Sequence, residues 1–229
     1  MFIVNKMPQS LSAESYRSIR TSIKYSSVDN PIKTIVITSS NSSEGKSTVA
    51  GNLAFSLSQN GSRTLLIDCD LRKPSVHKKF LIPNDKGLTD VLFDKQDLKE
   101  VIKKIENNLY VLPCGTIPPN PAEILGSKTM EEFLDKLSIN YDYIILDTPP
   151  VLAVTDAQLL AAKADATVLV VKANKTKGKT VVNSYKELEK VKANIIGTIL
   201  NDYDNSGERL YYRHESDKKI SKFLRKFKR

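Results

Sequence analysis

The stretch Ser39–Ala54, "SSNSSEGKSTVAGNLA", ends a β-branched run, "KTIVIT" (33–38), and opens into a helical pattern with Gly45, Lys46 and Ser47 at the junction. A strand that stops in a turn of small residues and then starts a helix points backbone N–H groups, and the positive end of the helix, at an anion. The phosphate-binding form of this turn reads G-x-x-x-x-G-K-[ST]. It is met here except at its first position, where Ser40 stands. Ser39, Ser40, Ser42, Ser43 and Gly45 keep the turn small, with Asn41 and Glu44 as the larger members. In such a loop Lys46 reaches the β- and γ-phosphates, the Ser47 hydroxyl ligates Mg²⁺ and Thr48 makes a secondary contact. A nucleoside triphosphate with Mg²⁺ is the ligand class this reading supports.

Outward from this loop, short runs apolar on both sides recur: "RTLLIDCD" from Arg63, "LYVLPC" from Leu109, "YDYIILDTPP" from Tyr141, "ATVLVVKAN" from Ala166 and "NIIGTIL" from Asn194. Buried parallel strands look like this. Helical patterns lie between them, at Lys46–Ser58, Thr129–Leu137 and Thr180–Val191, and one more precedes the first strand at about Leu11–Tyr25. The alternation predicts an α/β fold with a doubly wound, mostly parallel sheet flanked by helices, of the P-loop NTPase kind. Ligands of such sheets bind at the carboxyl ends of the strands. The turns Ser39–Ser47, Asp68–Arg72 and Asp147–Pro150 all fall there.

At 229 residues and 40% hydrophobic content the chain suits one substantial domain. No run of about 18 apolar residues is present, and the apolar part of "MFIVNKMPQS" is too short for a signal peptide, so a cytosolic chain is expected. Cys69 and Cys114 have neither metal-ligand spacing nor the density of a disulfide scaffold, and read as packing residues. The net charge of +9 is concentrated in "DKKISKFLRKFKR" (217–229), which carries +6 of it. There Ile220, Phe223, Leu224 and Phe227 recur at helical spacing among cations, a pattern suited to an anionic membrane surface, an acidic partner, or simple docking on the chain's own domain. Outside this tail there is no basic stripe, so no nucleic-acid partner is expected. The expected organisation is a domain over 1–205 and a basic amphipathic tail over 206–229.

Phosphate-bound Mg²⁺ needs oxygen ligands opposite the loop. Asp147, closing "YIILD", is one candidate, although a cap before "TPP" would also explain it. Asp68 and Asp70 in "LLIDCDLRKP" are the others: two residues apart on a strand they share a face, which is costly unless a cation or a proton transfer occupies them. Either could position an attacking hydroxyl, with Asp68 the first choice because it lies nearer the strand. Glu14, Arg17 and Arg20 share one broad helix face, and a local i, i+3 pair is the simplest reading of the first two. His77 and His214 are the only histidines; neither reads as catalytic, and a structural hydrogen bond is expected for His77.

Taken together, "SAESYRSIRTSI", "SSNSSEGKSTVAGNLA", "LLIDCDLRKPSVHKKF", "GLTDVLF", "GTIPPNPAEIL" and "YIILDTPPVLAVTDA" resemble, in order and over nearly the whole chain, the bacterial tyrosine kinases (BY-kinases), specifically the separate cytoplasmic kinases of capsule and exopolysaccharide systems. The resemblance implies three ATP motifs at Ser39–Ser47, Leu65–Asp70 and Ile144–Asp147, and an oligomerisation motif at Glu14, Arg17 and Arg20. It implies ATP-dependent tyrosine phosphorylation in trans within a ring of copies. A transmembrane activator of the polysaccharide co-polymerase type, a cognate tyrosine phosphatase and a place at the inner face of the membrane also follow from it. Asn201 resembles the family's base-side asparagine. Two departures stand out. Ser42 and Ser43 replace a Pro-Gly pair, so Ser43 is strained if the loop needs positive φ. The tail offers only Tyr203, Tyr211 and Tyr212 as acceptors, Tyr211 and Tyr212 foremost, although "LYY" could instead pack on the domain edge. The rival is a partitioning or septum-placement ATPase, which shares the loop but carries a lysine where Asn41 stands. A nucleotide-binding scaffold without turnover would show the same ligands.

Overall fold

The computed structural model describes residues 2–26, 31–93 and 96–203. Two helices, α1 (Ile3–Lys6) and α2 (Leu11–Tyr25), precede β1 (Thr34–Ser39), α3 (Lys46–Gln59), β2 (Thr64–Asp68), α4 (Val76–Phe80), α5 (Leu88–Phe93) and α6 (Leu98–Val101). Then follow β3 (Lys103–Glu106), β4 (Leu109–Leu112), α7 (Pro121–Gly126), α8 (Lys128–Ser138), β5 (Tyr143–Asp147), α9 (Asp156–Ala161), β6 (Ala166–Lys172), α10 (Gly178–Lys190) and β7 (Ile195–Asn201). The sheet order is β3-β4-β2-β5-β1-β6-β7, parallel throughout except for β3. All six strand runs read from the sequence are present. The seventh, "KKIE", is a charged, half-exposed edge strand without an apolar signature, as edges that resist further pairing are.

Strand alternation divides the interior into two layers. Ile35 and Ile37 of β1, Leu66 of β2 and Ile145 of β5 pack with α3 residues such as Val49, Leu53 and Phe55. Val36, Leu65, Ile67, Ile144 and Leu146 pack the opposite way, with Leu125, Met130, Leu134 and Leu160 from α7, α8 and α9. Because consecutive residues of these strands are buried on opposite faces, the strands read as continuous apolar runs. Cys69 and Cys114 are fully buried in the second layer as free thiols, as expected of packing residues.

Local chemistry sets the helix starts. The Ser10 hydroxyl accepts from the Ala13 N–H and caps α2, and that of Ser127 accepts from the Met130 N–H and caps α8. Gly45 precedes α3 and brings no side chain to its first turn, leaving that end to other partners. Residues 2–6 dock on α3: the Val4 N–H donates to Asn52 Oδ1, and the Phe2 ring packs against those of Phe55 and Phe80, which also stack on each other. Among the described residues no helix is long and apolar enough to cross a membrane.

Candidate functional site

The sheet order reverses around β1 and β5: the chain leaves β1 toward β2 on one side and leaves β5 toward β6 on the other. The crevice this opens at the carboxyl ends of the strands is where the three motif turns meet. Gly45 sits at φ 94°, and a Cβ added there would run into the Asn201 side-chain amide. Ser43 sits at φ 64°, so the loop does require the left-handed conformation where this chain has serine. A left-handed non-glycine residue costs about 1–2 kcal/mol, part of which glycine returns as unfolded-state entropy. Ser43→Gly is therefore expected to raise stability by roughly 0.5–1 kcal/mol in denaturant titration.

The loop side chains divide into two sets. Ser40 and Glu44 turn inward and brace, and the exposed Asn41 is tied to Glu44. Ser184 Oγ of α10 donates to Ser40 Oγ at 2.7 Å. The buried Glu44 carboxylate accepts from the Asn41 backbone N–H (3.1 Å) and from Thr176 Oγ1 (2.6 Å), while its carbonyl accepts from Asn201 Nδ2 (3.0 Å). Asn201 thus ties the end of β7 to the loop. Ser42, Ser43, Gly45, Lys46, Ser47 and Thr48 instead line a cleft of about 510 Å³, closed on its other sides by Asp70, Arg72, Lys79 and the Pro149–Pro150 turn. Sequence reading did not find Lys79, whose Nζ donates to Thr48 Oγ1 at 3.0 Å, nor Asp156, whose buried carboxylate takes two hydrogen bonds from Arg72. Both lie on helices after the motif turns, and no local pattern marks them.

The charged centre is Lys46. Its Nζ donates to Asp70 Oδ2 at 2.9 Å and lies 3.9 Å from Asp147 Oδ1. Burial disfavours its charge, but Asp147 and Asp70 outweigh burial and raise its pKa. Asp68 and Asp147 end β2 and β5 as register partners, side by side and fully buried. The strand ends at Asp68, so Asp70 does not share its strand face as the spacing suggested. Asp68 Oδ1 accepts from the Asp70 N–H, Asp68 Oδ2 from the N–H groups of Ser75 and Val76, and Asp70 Oδ1 from the Lys73 N–H. The 70–76 turn is therefore folded around the two aspartates. His77 departs from expectation: its Nδ1 is buried with no hydrogen-bond partner.

Both oxygens of Asp147 are buried without a hydrogen-bond partner. An orphaned carboxylate beside the Ser47 side chain and a second carboxylate fits a hard divalent cation. Among the described residues no group of three or more His, Cys, Asp or Glu could form a full protein cage. That donor set suits Mg²⁺, which is usually held by one or two protein groups together with phosphates and water. Burial and the Asp147 charge push Asp68 up to about 7. Burial pushes Asp147 up to about 6, with Lys46 opposing. Both folded-state values exceed those of an unfolded aspartate, so the folded chain binds more protons and stability falls as pH rises. The melting temperature of the nucleotide-free protein is expected to decline between about pH 4 and pH 7. Magnesium with nucleotide should give a larger thermal shift at pH 8 than at pH 5.5, read by calorimetry.

Away from the cleft, Arg17 pairs with Glu14 at 2.8 Å within α2, as the local reading proposed. Arg20 reaches the carbonyl of Ser56 on α3 at 2.8 Å. Tyr203 is exposed. Tyr211, Tyr212, His214 and the basic tail lie outside the described residues.

The fold and the cleft define a P-loop nucleotide-binding protein, and residues 32–201 match the family model described as an AAA domain. The chain is 46% identical to "Tyrosine-protein kinase YwqD" of Bacillus subtilis (strain 168), over 85% of this chain and 82% of that protein. It superposes on "The kinase domain of Escherichia coli tyrosine kinase ETK" with a TM-score of 0.84 and 33% identity, covering 88% of this chain and 79% of that one. It is less similar to the septum site-determining protein MinD of Pyrococcus horikoshii OT3, solved with Mg-ADP: TM-score 0.63 and 25% identity, over 75% of this chain and 70% of that one. The chain belongs to the bacterial tyrosine-protein kinase family.

Proposed function

We propose that this chain transfers the γ-phosphoryl group of ATP to tyrosine hydroxyls, including those of other copies of itself, in a bacterial capsule or exopolysaccharide system. The observation that carries the proposal is the convergence of Lys46 with Asp68, Asp70 and Asp147 in one cleft at the mouth of the phosphate loop. Loop amides and Lys46 hold the β- and γ-phosphates. Ser47, Asp147 and Asp68 are the groups that would hold Mg²⁺. When bound, that ion neutralises charge on the phosphates. Asp68, held by three backbone N–H groups at the end of β2, is the first candidate to position the attacking tyrosine hydroxyl, and Asp70 stands beside it. Arg72 and Lys79 add positive charge to the cleft wall. Catalysis is then mainly positioning and charge neutralisation.

Residues 1–205 form the catalytic unit in this reading, and 206–229 the tail that presents Tyr211 and Tyr212. Glu14, Arg17 and Arg20 contact neighbouring copies in a ring. The chain works in the cytoplasm, held at the membrane by a transmembrane activator of the polysaccharide co-polymerase type, and its phosphorylation is reversed by a tyrosine phosphatase; the basic tail adds a contact with anionic lipid. Asn41 stands where the septum-placement ATPases carry a lysine, and its side-chain amide donates to Glu44 Oε1 at 3.4 Å, which disfavours that reading. The test is mass spectrometry after incubation with Mg-ATP. Phosphotyrosine at Tyr211, Tyr212 or Tyr203 is expected, and modification confined to serine and threonine would refute the proposal.

A further inference from the structure

A second concavity, of about 590 Å³, lies at the other end of the same strands. Arg63 precedes β2, Tyr141 precedes β5 and Tyr110 is near the start of β4, whereas Asp68 and Asp147 end β2 and β5. A five-residue strand spans about 16 Å, so the two sites are separated by the thickness of the sheet along the strands. The floor is apolar, from Leu98, Ile102, Phe133 and Leu137. Tyr110 and Tyr141 meet edge-on with ring centroids 5.5 Å apart, and the Arg63 guanidinium lies 5.2 and 5.1 Å from those two centroids. Lys99, Lys104 and Lys136 stand exposed around the mouth. Among the described residues no Asp or Glu lines the concavity, and none of these four cations forms an ion pair.

We propose that this concavity is a binding site, separate from the phosphate cleft, for a small amphipathic anion: an apolar body carrying a carboxylate, sulfonate or phosphate group. Its volume falls in the range of small-molecule sites, which are mostly apolar with a few polar groups that fix orientation. Four cations around one low-dielectric hollow repel one another and focus positive potential into it, and a bound anion relieves that repulsion. Arg63 is already oriented by the two tyrosine rings, so part of the ordering cost of holding an anion is met before binding. An apolar body alone would leave the charges unused, and a free phosphate would leave the floor exposed.

The test uses the full chain and 8-anilinonaphthalene-1-sulfonate as probe, read by fluorescence titration with saturating Mg-ADP present to fill the phosphate cleft. Saturable binding at one site is expected, weakened at least tenfold by Lys99→Glu with Lys136→Glu, and unchanged by Lys186→Glu on α10. The neutral N-phenyl-1-naphthylamine should bind more weakly and ignore the charge reversals. Lys104→Glu serves as a second, independent reversal, and circular dichroism verifies that each variant is folded. Displacement of the probe by Mg-ADP, binding indifferent to all the reversals, or equal binding of the neutral compound would overturn the proposal.

Discussion

Lys46→Met is expected to reduce phosphoryl transfer by about a thousandfold while the chain stays folded. The long methionine side chain keeps the packing of α3 and removes only the ammonium group, so the loss reports charge delivered to the phosphates. Stability should fall too, because Asp70 and Asp147 lose their nearest cation. Leaving a buried partner unpaired costs about 3 kcal/mol, tolerable for a domain whose folding free energy is about 10 kcal/mol. The melting-temperature deficit should be greater at pH 8 than at pH 6, since protonation of Asp147, which burial raises to about 6, relieves its lost partner. Kinetics and thermal melts on the same preparation check both parts; full transfer activity in the variant would remove Lys46 from the site.

The second large effect is expected at Asp147. Its two oxygens are buried, accept no hydrogen bond and lie next to Asp68, and the Lys46 ammonium 3.9 Å away offsets that only in part, so in the nucleotide-free chain this carboxylate is a cost rather than a support. Asp147→Asn removes the charge, keeps the shape and brings amide protons toward the neighbouring carboxylates. The nucleotide-free protein should gain about 1–2 kcal/mol, or roughly 3–6 °C, at pH 8. Transfer should fall at least about a hundredfold, and the extra thermal shift that Mg²⁺ gives over ADP alone should vanish. A variant less stable than the parent, with its magnesium-dependent shift intact, would show Asp147 to be a structural cap.

What the sequence made legible follows from range. The strands around Ile35–Ile37, Leu65–Ile67 and Ile144–Leu146 announce themselves because burial on two faces makes each a continuous apolar run. The loop is equally plain, since Gly45, Lys46 and Ser47 are adjacent in the chain, and Ser43 takes the left-handed conformation for which the resembled family has glycine. The edge strand Lys103–Glu106 was invisible, because half-exposed charged residues alternate without an apolar period. The bracing of the site was hidden for a different reason. Thr176 on Glu44, Ser184 on Ser40 and Asp156 on Arg72 bridge 132, 144 and 84 residues of chain, and only the sheet order brings them together. Asp70 shows the limit of periodicity: the strand ends two residues before it, and its side chain follows the turn rather than the pleat.

The most direct measurement is the fate of the label when the purified chain is incubated with Mg²⁺ and γ-labelled ATP, with and without the cytoplasmic segment of a co-polymerase-type activator. Label on tyrosine, absent from Lys46→Met, is the expected result. Label released only as free phosphate under both conditions would contradict tyrosine kinase activity and make the cleft that of an ATPase switch.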